Sequence, residues 1–421
     1  MNVWRKLPRS VRGVAAIGGG TIAGQLIVLG VTPILSRLYP TAAFGGYAVV
    51  TAVATAVTPS AALKLDAALV IPAAEDTARR LTRLALAAGV ASGILVAAAM
   101  ALIQALSDSV GWDGIPFAPL WAGATVVLGS GFSTLTQAAL RYKAYRVVAQ
   151  RVPVQATAVA CAQLGAAALS PSATGLIGAN VVGRAFGFLP LLRVVRPLLR
   201  GTRLGGYKQA LREFWRMPAI MTPSTLINDL SRQLPIIFFA AWFGASLTGE
   251  MSVAQRVVLL PLAVVGEAVA RVFVAETASR MREGTGRITP YYLRLSLALA
   301  ACGTATATAV ITLGPWLCPI VLGEDWQACG YFAQALAVSA AAALVGSPLS
   351  QIYTLLQSPA AMAMAGIRLA IIGSAAAIIY ATQMAAIAAC WTFAIAQALH
   401  YLIYWLGGLG LAKRYDARQS A

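Results

Sequence analysis

Seven ionisable residues stand inside long stretches of otherwise apolar sequence: the cations Lys64, Arg184, Arg232 and Arg256, and the acids Asp66, Asp229 and Glu267. A charge in an apolar setting is costly unless it faces water, a partner or a ligand, so such residues are functional candidates by default. Arginine forks bind phosphate oxygens two at a time, and amide side chains bond hydroxyl groups. The same stretches supply amides at Gln25, Gln137, Gln163, Asn180, Asn228, Gln233, Gln351 and Gln397. With four cations to three acids, this mix leans to a sugar phosphate. A cavity for lipophilic cations would favour exposed acids and aromatics. Amides in apolar helices also tie helices together, which is the competing reading for each of them.

Spacing adds geometry. Asp229 and Arg232 are three apart and share a helix face, which allows an intrahelical ion pair. Arg256 and Glu267 are eleven apart, about three turns, so they lie on one stripe with Arg271 beside it. A stripe of alternating sign looks like a cavity wall. Lys64 and Asp66 are two apart and point in nearly opposite directions unless Pro59 disturbs the helix. The substrate-binding candidates are therefore Arg256, Arg232, Arg184, Lys64, Gln25 and Asn180, with Asp229, Glu267 and Asp66 as coupling or ion-pair candidates. Arg37, Arg271, Arg294 and Arg368 lie within a turn or two of a helix end, where their stems can snorkel to the interface.

The elements that must position these residues are membrane helices. Of 421 residues, 59% are hydrophobic and 11% charged, against roughly 25% charged in a soluble domain. About 20 apolar residues cross a bilayer. Apolar segments cover about 13–36, 46–71, 84–106, 119–140, 152–170, 175–192, 217–243, 250–273, 291–313, 331–356, 361–381 and 386–408, twelve in all. The first is longer than the apolar core of a secretory signal and reads as a span. The fold class is all-α and polytopic, with two six-helix lobes, 1–192 and 217–421, around a central cavity and a basic cytoplasmic linker at 193–216. Two stretches echo each other weakly: Pro33 to Gly46 holds Phe44-Gly45, and Pro235 to Gly249 holds Phe243-Gly244.

The 32 Lys and Arg against 14 Asp and Glu leave a net charge of +18. In a soluble protein this would suggest nucleic acid, but here it reports which side of the membrane each loop occupies. With the N-terminus in the cytoplasm, inside segments hold 24 of the 32 cations, among them Arg5, Lys6, Arg79, Arg80, Arg83, Arg141, Arg146, Arg151 and the run from Arg193 to Arg216. Outside segments hold Arg37 and the acids Asp108, Asp113, Glu324 and Asp325. Both termini are thereby placed inside.

Much chemistry is missing. There is one His, His400, and five Cys without a CxxC pair, so no metal-site spacing exists and no metal or cofactor is expected. Gly201 to Lys208 does not fit the phosphate-cradling Walker A loop. The longest outside segment, about 314–330, offers only Glu324 and Asp325 for acid or base work, which argues against an enzyme. Cys318 and Cys329 flank those acids; packing as free thiols is the expectation, a disulfide the alternative. Gly20 to Gly24 and Gly183 to Gly187 have the spacing that lets helices approach closely.

Several runs carry a family resemblance. Gly18-Gly19-Gly20-Thr21 with Gln25, Pro33-Ile34-Leu35-Ser36-Arg37-Leu38-Tyr39-Pro40 before Phe44-Gly45-Gly46-Tyr47, and Lys64-Leu65-Asp66 running on to Pro72 resemble the oligosaccharide flippases. These are the Wzx-type O-antigen and polysaccharide exporters of the multidrug/oligosaccharidyl-lipid/polysaccharide superfamily. Leu234-Pro235, Phe243-Gly244, Gly249, Ala254-Gln255-Arg256-Val257 and Pro261 are similar to the matching signature in the second half. Where the family pattern reads Arg-Tyr-Glu, this chain has Lys64-Leu65-Asp66, which keeps the charges and loses the arginine fork.

The resemblance implies a bacterial inner-membrane protein that moves undecaprenyl-pyrophosphate-linked oligosaccharide to the periplasmic leaflet, with Arg256 on the pyrophosphate. An ion pair that holds helices together is the alternative for Arg256. The implied partners are the lipid-linked substrate, membrane lipids and other polysaccharide assembly proteins, with no nucleic acid; proton or sodium coupling is left open. A multidrug or lipid-precursor exporter of the same superfamily and a membrane enzyme of polysaccharide assembly are the alternatives. Reporter fusions are expected to place 107–119 and 315–330 outside and 193–216 inside; a periplasmic signal from the last would overturn the topology.

Overall fold

The computed structural model describes residues 9–107, 111–112, 114–199, 205–283 and 287–420. Arg5, Lys6, Asp108, Asp113, Arg200 and Arg203 lie outside the described residues. The described chain is helical, with no strand. Its elements are α1 (Arg9–Leu38), α2 (Thr41–Ala61), α3 (Leu65–Ala68), α4 (Glu75–Leu106), α5 (Ala118–Arg141), α6 (Tyr145–Leu169), α7 (Ala173–Phe186), α8 (Phe188–Leu199), α9 (Tyr207–Glu213), α10 (Thr222–Glu283), α11 (Ile288–Leu322), α12 (Gln327–Leu349), α13 (Gln351–Leu355), α14 (Ala360–Thr382) and α15 (Ala386–Ser420).

Helices suit this composition because lipid offers backbone groups no partners, so each segment must satisfy its own. By length and composition, nine described helices can cross a membrane, or ten when α7 and α8, bent by 47°, count as one span. The π-helical segment Met217–Met221 and the helix α10 that follows it carry two predicted spans, 217–243 and 250–273, merged across a break at Gly244 (φ 79°, ψ 176°), a conformation that only glycine adopts readily. The predicted span at 119–140 is the 24-residue α5. The twelve predicted segments thus all fall on helices.

Boundaries move in informative ways. The helix α6 begins at Tyr145, so Arg146 and Arg151, read as loop residues, lie in its first two turns. The predicted outside loop at 314–330 contracts to a turn at Gly323–Trp326, because α11 continues through Pro315 and Pro319 to Leu322. The predicted basic linker starts inside α8, whose Leu191, Val195 and Leu198 are buried at one helical stripe while Arg193 and Arg196 are exposed.

Packing divides the chain into two units, Met1–Gly249 and Glu250–Ala421. The predicted seventh span, assigned from sequence to the second lobe, is counted by its packing with the first unit. Two close approaches account for this: a Cβ on Gly45 or Gly249 would run into the backbone carbonyl of Ala245 or Thr41. Thr41 and Ser246 also share a hydroxyl hydrogen bond of 2.6 Å.

In the first unit α1 packs on α6, α4 on α5 and α6 on α7. One core gathers Leu65, Leu69, Leu81, Leu135, Leu191 and Leu198; a second gathers Val49, Val50, Met100, Trp112, Val126 and Ile177. In the second unit α12 packs on α11 and α15. Its core joins Phe273, Tyr292, Leu349, Ile352 and Tyr353.

At the end of α5, the Arg141 guanidinium donates to the carbonyls of Leu69, Pro72 and Ala73 and so holds the chain that leaves α3. Beside it the Tyr142 hydroxyl donates to Glu75 at 2.6 Å; burial, then that carboxylate, push its phenol up to about 12.

Because lipid tails are as apolar as leucine, helix association here depends on close packing of small residues. Gly45→Ala is therefore expected to cost about 1–3 kcal/mol and lower the Tm of the detergent-solubilised protein. Gly19→Ala, where an added Cβ meets nothing within 4 Å, is expected not to lower it. Equal Tm values for the two variants would contradict the packing.

Candidate functional site

The break after α2 sets one wall of a polar cavity. Pro59 removes a backbone donor near the helix end, and Leu63 (φ 53°) and Lys64 (φ 56°) both adopt left-handed conformations before α3 begins. Two such non-glycine residues in succession cost about 1–2 kcal/mol each, so the surroundings must enforce them. The helix runs through Pro59 to Ala61 and breaks at Leu63 and Lys64, so Lys64 and Asp66 do not share a continuous helix. Asp66 is buried, at 6% exposure, and its Oδ2 accepts a 2.6 Å hydrogen bond from the Ser133 hydroxyl on α5. Its Oδ1 is buried without a hydrogen-bond partner.

On the other side of Ser133 lies a cavity of about 380 Å³, within the first unit. The helix α2 contributes Thr58; α5 contributes Phe132, Ser133, Thr136 and Gln137; α6 contributes Arg151 and Gln155; α7 contributes Arg184. Gly129, also on the wall, lets Thr58 approach, since an added Cβ would stand 2.6 Å from the Thr58 methyl. The volume falls in the range of about 300–1,000 Å³ usual for small-molecule sites.

Each arginine is oriented by a different device. The Arg184 Nε donates to Asn180 Oδ1 at 2.8 Å, and Asn180 Nδ2 donates to the Tyr47 hydroxyl at 2.9 Å. Asn180 is 3% exposed, so this chain from α2 to α7 is fixed, and the Nη ends of Arg184 remain for a ligand. The Arg151 guanidinium lies 4.1 Å over the Phe132 ring, and its Nε is buried without a hydrogen-bond partner. The ring attracts the cation without supplying a hydrogen bond. Two guanidinium groups, two amides and three hydroxyls thus line the cavity, with no carboxylate among its lining residues. Such a lining can grip phosphate oxygens at two points and bond sugar hydroxyls.

Of the predicted residues, Arg184, Asn180 and the amide of Gln137 come together here, and Asp66 joins through Ser133. Lys64 is half-buried at the break, and Gln25 is half-buried on α1. Arg232 is exposed on α10, and Asp229 accepts from the Asn228 amide at 3.3 Å. In the second unit Arg256 is half-buried. Glu267 is exposed and pairs at 3.2 Å with Arg271, one turn on, so Arg271 and not the more distant Arg256 is its nearest countercharge.

Arg368 departs from the snorkelling expected of it. It is 5% exposed, donates to the Tyr401 hydroxyl at 3.0 Å and lies 5.3 Å over that ring, because α15 packs its aromatic face against α14. Arg294 is exposed, as expected of a helix-end arginine.

Sequence reasoning missed Arg151 and Gln155 as cavity residues. Their i, i+4 spacing was the available signal, hidden by starting the helix too late. It also missed Glu250, buried at 6%, whose carboxylate accepts the backbone N–H of Cys329 at 2.9 Å and caps α12.

A family model for polysaccharide biosynthesis proteins matches residues 34–330. No curated protein sequence matches the chain. Among solved structures, an inward closed conformation of the lipid II flippase MurJ is similar with a TM-score of 0.67 at 12% identity, over 97% of this chain and 90% of that one. An outward-facing multidrug resistance MATE transporter of the MOP superfamily has a TM-score of 0.62 at 12% identity, over 99% and 98%. A MOP superfamily transporter from Pyrococcus furiosus has a TM-score of 0.60 at 12% identity, over 97% and 96%. These likenesses establish a shared fold.

Proposed function

The chain belongs to the polysaccharide biosynthesis protein family, and from that premise we propose that it flips undecaprenyl-pyrophosphate-linked oligosaccharide across the bacterial inner membrane by alternating access. The reading rests on one observation above all: a cavity within membrane-spanning helices lined by Arg151, Arg184, two amides and three hydroxyls, with no carboxylate on its wall. A lipid-linked sugar offers the complementary groups, a diphosphate for the forks and hydroxyls for the amides. The likeness to a lipid II flippase supports the same substrate class.

Passage of such a headgroup through hydrocarbon is prohibitive, so a wet cavity must open to each side in turn while the lipid tail stays in the bilayer. Inside-negative potential favours outward movement of an anion by about 2.3 kcal/mol per charge per 100 mV. The cytoplasmic placement of both termini and the inner-membrane location belong to this proposal, as does transport driven without a nucleotide or metal cofactor. Proton or sodium coupling would involve Asp66, whose unpaired Oδ1 sits one residue behind the cavity wall. Arg256 keeps its proposed role as a diphosphate ligand, with Arg232, Lys64 and Gln25 as lesser candidates. The fold is shared with multidrug exporters, but the arginine lining opposes a lipophilic cation.

Losing a charge-assisted hydrogen bond costs about 1.5–3 kcal/mol, or roughly 10- to 100-fold. Surface polysaccharide at matched membrane abundance is therefore expected to fall about 10- to 100-fold for Arg184→Ala and Arg151→Ala. Lys at either site would reduce it less, since charge is kept and the fork is lost. Arg294→Ala, at an exposed position, is expected to match wild type. Undiminished polysaccharide in both cavity variants would overturn the reading.

A further inference from the structure

Cys318 and Cys329 have no part in the cavity, yet three features bring them together. Cys318 lies near the end of α11 and Cys329 near the start of α12, with the turn Gly323–Trp326 reversing the chain between them. Gly330 fits against Pro315, where an added Cβ would stand 2.5 Å from the Pro315 Cα, so the two helix ends are pressed together. The Glu250 carboxylate accepts the backbone N–H of Cys329 and fixes the first turn of α12. The two thiols, 8% and 0% exposed, are buried neighbours across this turn. No group of three His, Cys, Asp or Glu able to hold a metal exists among the described residues, so the pair is not part of a metal site.

We propose that Cys318 and Cys329 are a redox-active pair that closes to a disulfide and staples α11 to α12. The oxidant is an external disulfide. The Cys318 thiolate, the more exposed of the two, attacks one sulfur of that disulfide, forming a mixed disulfide and releasing one thiolate. Cys329 then attacks the Cys318 sulfur and releases the second. Two protein thiols are oxidised, one external disulfide is reduced to two thiols, and the two protons pass to the released thiolates. In the proposed topology this end of the protein faces the oxidising side of the membrane, where such bonds persist. The remaining cysteines are Cys161 and Cys302, both exposed, and the buried Cys390.

The test uses the purified full-length protein in detergent, treated with oxidised glutathione, quenched in acid, and alkylated under denaturing conditions for mass spectrometry. The expected result is alkylation of Cys161, Cys302 and Cys390 alone, with a linked peptide joining Cys318 to Cys329 that disappears on reduction. Cys318→Ser is expected to leave Cys329 fully alkylated. The oxidised protein is also expected to melt a few degrees above the reduced one, because the link restricts the unfolded chain. Five alkylated cysteines after oxidation would overturn the proposal, as would glutathione retained on Cys318 beside an alkylated Cys329, since the second attack would then be out of reach. Neither result bears on transport, so the pair stands or falls apart from the flippase reading.

Discussion

A guanidinium group inside hydrocarbon must meet water, a ring, a hydrogen-bond acceptor or a ligand, and the rest of this structure is arranged around that requirement. Arg184 meets it through Asn180 and, behind it, Tyr47; Arg151 meets it through the face of Phe132. Neither solution neutralises the charge. Both leave donors directed to a cavity whose other groups are amides and hydroxyls. Arg368 shows the contrasting outcome, a cation enclosed by Tyr401. The difference between a binding arginine and a packing arginine is thus visible in what surrounds each one.

The cavity in turn depends on helices that come closer than leucine side chains would permit. Gly129 lets Thr58 approach α5, and Gly20 and Gly24 seat α1 on Ala149 and Val152 of α6. Gly183 does the same for α7 against Val159. These contacts fix the helices that carry Arg151 and Arg184, so the small residues are as necessary to the site as the charged ones. The break at Leu63 and Lys64 has a similar standing, because it detaches α3 from α2 and lets Asp66 reach Ser133.

Much of this was legible in sequence, for physical reasons. Span length reports the bilayer directly, so the helices could be read from apolar runs alone. Arg184 and Asn180 each stood out as polar groups in an apolar segment, and the small-residue pairs at Gly20–Gly24 and Gly183–Gly187 marked real contacts. Arg151 was hidden because a basic residue near a span's start looks like a loop residue. Glu250 was hidden because its partner, Cys329, is 79 residues away, and a cap supplied by another helix leaves no local pattern. For Arg368 position misled: nearness to a helix end permits snorkelling, but packing against α15 decided otherwise.

Transport itself is the most direct test of the central claim, that cavity arginines recognise a lipid-linked diphosphate. The purified protein would be reconstituted in liposomes with fluorescent undecaprenyl-pyrophosphate oligosaccharide, and the label reaching the opposite leaflet measured by quenching from outside. Wild type is predicted to move the label many times faster than empty liposomes. The variant with both Arg151→Ala and Arg184→Ala, at equal protein density, is predicted to return to the empty-liposome rate. Wild-type speed in that variant would contradict the claim.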